Sequence, residues 1–102
     1  MTNEEALNIY QNKSSLRELK GFKLAKTIIL NMNKINDELI SVIKEIAKNM
    51  EESGDSAEDI KKAIEDILTK DCEIAFVKVT ESDIPEYISV EQLSLIDNFI
   101  EK

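Results

Sequence analysis

The sequence predicts a mainly α-helical protein: a long helical hairpin with one short β-strand and a C-terminal helix, completed by oligomerisation. Three observations predict it. With Gly 2 and Pro 1 among 102 residues, the chain has almost no helix breakers. Apolar residues recur every seven positions from Ala25 to Ile46, a seam sustained over about three heptads. A single β-rich run, residues 72–80, has no second strand beside it in the sequence. A strand must satisfy its amides and carbonyls, so its partner is expected in another subunit or another protein. An extended apolar arm without ladder bonds is the third option. At 102 residues the chain reads as one domain, with the hairpin over 3–70 and the strand, proline turn and terminal helix over 72–101. So short a chain builds a modest core, which burial between subunits would supplement.

Each element has a local cause. Thr2 with Glu5 reads as a capping box, and Glu4 and Glu5 suit the positive pole of a first short helix. "QNKSS" (11–15) weakens that helix, because Asn and Ser compete for backbone hydrogen bonds. From Leu16 to about residue 52 the pattern predicts one long helix. Ala25, Met32, Leu39 and Ile46 form its seam, Ile28, Ile35 and Val42 the adjacent row, and Ile29 and Ile43 widen the stripe. Gly54 offers a left-handed stop. Ser56 with Asp59 starts a second arm whose buried face is Ala57, Ile60, Ala63, Ile64, Ile67 and Leu68. "CEIAFVKVT" (72–80) alternates as a strand, Pro85 fixes a turn, and Ser89 with Gln92 is a second capping box. Val90, Leu93, Ile96, Phe99 and Ile100 mark the terminal helix. Ile28, Ile35, Val42, Ile74 and Phe76 are the expected oligomer interface.

The chemistry on offer argues against catalysis. There is no histidine, so the commonest general base and metal ligand is missing. The single cysteine, Cys72, has no imidazole to activate it and reads as a structural thiol; alone, it fits a reducing compartment. No carboxylate spacing matches a calcium loop, and no glycine-rich phosphate loop is present. No catalytic residue, metal or cofactor is expected. No apolar run approaches 18 residues and the N-terminus lacks signal-peptide character, so a cytoplasmic location without membrane insertion is expected.

Charge is the feature that points to binding. The formal net charge is −8, yet "KSSLRELKGFKLAKT" (13–27) holds Lys13, Arg17, Lys20, Lys23 and Lys26 against Glu18 alone. Residues 1–50 carry +2 and residues 51–102 carry −10. On one continuous helix, Lys13, Arg17, Lys20 and Lys23 share an arc of about 120° opposite Phe22, Ala25 and Ile29, which turn inward. Gly21 inside that helix costs about 1 kcal/mol relative to alanine, and leaves room for a close backbone or a ligand. Lys13, Arg17, Lys20, Gly21, Lys23 and Lys26 are therefore the candidate site, for a nucleotide phosphate, an acidic partner or the acidic half of a neighbouring subunit. The alternative is a solvated helical face. Net charge opposes duplex nucleic acid, whereas a small anion feels only the potential within about 8 Å.

The segments "LRELKGFKLAKTIILNMNKINDELISVIKEI" (16–46) and "EIAFVKVTESDIPEYISVEQLSLIDNFIE" (73–101), well over half the chain, resemble small proteins of tailed phages and prophages of low-GC bacteria. In those a helical hairpin is followed by a strand, a proline turn and a short terminal helix. The resemblance implies a phage protein acting in the host cytoplasm, as an inhibitor that binds a host defence protein or sequesters a nucleotide signal. The alternative it implies is a structural or assembly protein: a scaffold, tail chaperone or virion component.

Overall fold

A computed structural model describes residues 1–101. Helix α1 (Asn3–Gln11) begins at Thr2, whose Oγ1 accepts the Glu5 N–H at 3.2 Å. The Thr2 hydroxyl in turn donates to the Glu5 carboxylate, so the reciprocal half of the expected capping box is not made. The helix stops at Asn12, whose Nδ2 donates back to the Asn8 carbonyl at 2.8 Å. A 3-10 turn, Lys13–Leu16, and a loop lead to α2, residues 22–52. This helix runs α-helically over Phe22–Ile35, widens into a π turn over Asn36–Ile40, and resumes over Ser41–Glu52. Gly54, at φ +81°, ends the connection in the left-handed region. Ser56 then accepts the Asp59 N–H and starts α3 (Ala57–Thr69), which folds back along α2 as the second arm of the hairpin.

Residues 72–78, outside any regular element, lead to β1 (Val79–Thr80). Ser89 and Gln92 complete the predicted capping box, with bonds of 3.1 and 3.0 Å, and open α4 (Val90–Ile96). The Gln92 amide also donates to the Ser15 carbonyl, so one cap holds both its helix and the 3-10 turn. The described residues finish in β2 (Ile100–Glu101), parallel to β1 with Val79 opposite Ile100.

The core lies beside α1 and the first half of α2. Leu24 and Ile35 from α2, Val79 from β1, and Ile96 and Phe99 near the C-terminus are its largest buried apolar side chains. Phe76 packs against Phe99 with ring centroids 5.1 Å apart. Beyond Leu39 no residue of α2 is buried, and none of α3 is; the hairpin extends from the body and stretches the molecule to 51 Å.

Several expectations are corrected here. The long helix starts at Phe22, not near residue 16, because Gly21 takes φ +114° and ends the approaching loop. A π turn inserts extra chain into one turn of the long helix. Ile28 and Ile35, which precede it, are core residues of this chain, while Val42, past it and next in their row, is 42% exposed on the arm that leaves the body. Phe76, placed at an oligomer interface by the sequence, packs within the chain; Ile74 remains half-buried. The run 72–80 forms a ladder only at Val79–Thr80, and its partner is the chain's own terminal segment, which the sequence places in a helix.

At Val77 a single side chain takes the place of a ladder. Asn31 is 0% exposed on α2; its Nδ2 donates to the Val77 carbonyl at 2.9 Å and its Oδ1 accepts the Val77 N–H at 2.8 Å. The carboxamide reproduces what a neighbouring strand would offer. Asn31→Ala leaves both Val77 groups unpaired and is expected to cost about 2–4 kcal/mol in urea unfolding.

Candidate functional site

The six candidate residues do not share one helical face. Lys13 stands on the 3-10 turn, Arg17 follows it, Lys20 lies in the loop, Gly21 caps α2, and Lys23 and Lys26 project from its start. Phe22 and Ile29, expected inward, are 83% and 60% exposed, because the inward row of α2 is Leu24, Ile28, Asn31 and Ile35.

The fold does bring Lys13 and Arg17 together. They stand on the lip of a groove of about 410 Å³ between the α1–loop segment and α2. Leu16, Leu19, Ile28 and Met32 are its buried floor, and Tyr10, Ala25, Ile29 and Asn33 complete the wall. The Lys13 ammonium sits 3.7 Å from the centroid of the Tyr10 ring, a cation–π contact that narrows where the charge can go. Lys26 lies outside the groove, 5.9 Å from the Phe22 ring centroid.

The other candidates have structural partners. Lys23 pairs with Asp83 at 3.4 Å. The Lys20 N–H donates to the Tyr87 hydroxyl at 2.8 Å, and that hydroxyl donates to the Glu18 carbonyl at 3.2 Å. Tyr87 thus latches the loop before α2 to the turn after Pro85. Gly21 has nothing within 4 Å of where a Cβ would stand, so neither a close backbone nor packing explains it. Its φ of +114° does.

No known protein family, curated protein or solved structure matches this chain. The site therefore rests on its own geometry. Among the described residues no group of three His, Cys, Asp or Glu side chains converges as a metal site would require. No helix among them is long and apolar enough to cross a membrane. The groove lining holds no carboxylate, thiol or imidazole. It offers cations, apolar area and the Tyr10 ring. Sequence reasoning finds the cations but misses Tyr10, three residues before Lys13, and the floor, whose members lie on separate elements. Nothing in the sequence signals Tyr87.

Two outcomes test this description. Gly21→Ala is expected to lose about 1–3 kcal/mol of stability, the cost of forcing a Cβ into that conformation, measured by chemical unfolding. Asp83 accepts bonds from the Thr80 N–H at 3.1 Å and the Thr80 hydroxyl at 3.0 Å. These, with the nearby Lys23, hold its carboxyl below the ordinary value of 3.8. The fold therefore favours the ionised form: its contribution is complete above the unfolded value and lost as pH falls through the lowered one. The stability gap between the unsubstituted chain and Asp83→Asn is expected to be widest near neutral pH and to close in the acid range below 3.8.

Proposed function

We propose that this chain is a non-catalytic binding protein whose groove takes a small anionic ligand with a planar or apolar body, of the nucleotide class. The observation that carries this is the placing of Lys13 and Arg17 on the lip of a groove floored by Leu16, Leu19, Ile28 and Met32. The two cations suit a phosphate, and Arg17 adds a planar fork of donors. The floor suits the body of the ligand, and a volume of about 410 Å³ lies within the range of small-molecule sites. A lining without a carboxylate, thiol or imidazole suits holding rather than transforming. The net charge of −8 does not oppose this, because only charges within a Debye length of about 8 Å act strongly on a small ion.

The resemblance of residues 16–46 and 73–101 to phage proteins supplies the biological frame: sequestration of a nucleotide signal in the host cytoplasm, to the detriment of a host defence system. The test is thermal stabilisation by a panel of mononucleotides and cyclic dinucleotides, followed by calorimetry on any that stabilise. Arg17→Glu is expected to weaken binding about 10–100-fold, the loss of one charge-assisted contact. Equal affinity in Arg17→Glu, or no stabilisation by any member of the panel, would overturn the reading.

A further inference from the structure

The groove has two chemically different ends. Arg17 and Leu19 stand on the segment that leads into α2, and so flank the start of that helix, where Ala25 lies. Helix α1 runs back along α2. Its Asn3 shares a cleft with Leu39, and Tyr10, about two turns or roughly 10 Å further along α1, comes level with Met32 and Asn33. From Ala25 to Asn33 the α2 wall runs roughly 12 Å at 1.5 Å per residue, a span that suits one nucleotide lying lengthwise. A guanidinium marks one end of the groove. An aromatic ring and an uncharged carboxamide mark the other.

At the Tyr10 end the Lys13 ammonium lies 3.7 Å from the ring centroid. Both residues line the groove, so the ammonium covers a ring face that a ligand there would otherwise reach. Among the described residues neither Lys13 nor Arg17 has a carboxylate partner, so no ion pair holds Lys13 where it is. The π face that attracts a cation is also the surface on which a nucleobase stacks.

Resting on the reading of the groove as a nucleotide site, we propose that Tyr10 is the platform for the base and that Lys13 guards it. The phosphate, held by Arg17, draws the ammonium off the ring, and the base takes its place. The flexible four-carbon stem of lysine permits that swing. The exchange favours the ligand: an exposed cation–π contact is weak, a charge-assisted contact with phosphate is strong, and the stack is a further gain. A phosphate without a base would move Lys13 but win no stack.

Calorimetry on the full chain compares adenosine monophosphate with ribose 5-phosphate, which keeps the sugar and phosphate but lacks the base. The nucleotide is expected to bind about 5–150-fold more tightly, the range that stacking on one aromatic side chain supplies. Tyr10→Ala is expected to close that gap and Tyr10→Phe to keep it. Proton NMR on the unsubstituted chain needs no variant to fold: the Lys13 ε-methylene protons, shielded by the ring beneath them, are expected to move downfield as the nucleotide is added. Equal affinity for the two probes, a gap that survives Tyr10→Ala, or Lys13 protons still shielded with nucleotide bound would overturn the platform and leave the groove's phosphate binding standing. Failure of both probes to bind would overturn the reading of the groove, and the platform with it.

Discussion

A single buried carboxamide organises this molecule. Asn31 has no access to water, and its two polar atoms meet the two polar groups of Val77. A helix has no free backbone to offer a strand, since its own amides and carbonyls are engaged along its axis. A side-chain amide on its surface can supply both a donor and an acceptor. Because Asn31 fixes Val77, the chain two residues on arrives where Val79 is buried and can pair with Ile100. That pairing in turn holds Phe99 within reach of Phe76. The two-stranded sheet is too short to stand alone; it exists because the long helix supplies the missing neighbour.

The basic segment shows how one run of charge is divided among tasks. Lys23 is engaged by Asp83, and the amide of Lys20 by Tyr87. Gly21 serves the geometry of the loop-to-helix junction. Only Lys13 and Arg17 reach the groove, and they reach it because the helix breaks before them. Had α1 or α2 continued through residues 12–21, the charges would lie along one rod and no groove would separate the two helices.

What was legible in the sequence is what one residue decides locally. The caps at Thr2, Ser56 and Ser89 and the stop at Gly54 depend on a side chain or a φ angle, and they stand where the sequence places them. What depends on phase or distance was hidden. The π turn at Asn36–Ile40 has no signature in the apolar pattern, nor does the departure of the helix from the core past Leu39, which leaves Val42 at the surface. Phe99 and Ile100 fit the period of a helix as well as that of a strand, so the true partner of Val79 was disguised as the end of α4. Of the site, the cations could be read. The floor could not, because Leu16 and Met32 become neighbours only after the chain folds.

The hairpin carries a consequence for motion. Past Leu39 neither arm has a buried residue, and the last turns of α2 and the start of α3 lean chiefly on each other. Opening this tip exposes little apolar area beyond what water already reaches, so it takes far less free energy than unfolding the body around Asn31 and Phe99. The protein is thus built of two mechanical grades in one chain: a stiff block that keeps its shape, and a compliant acidic finger that exchanges its amide protons and bends on its own schedule.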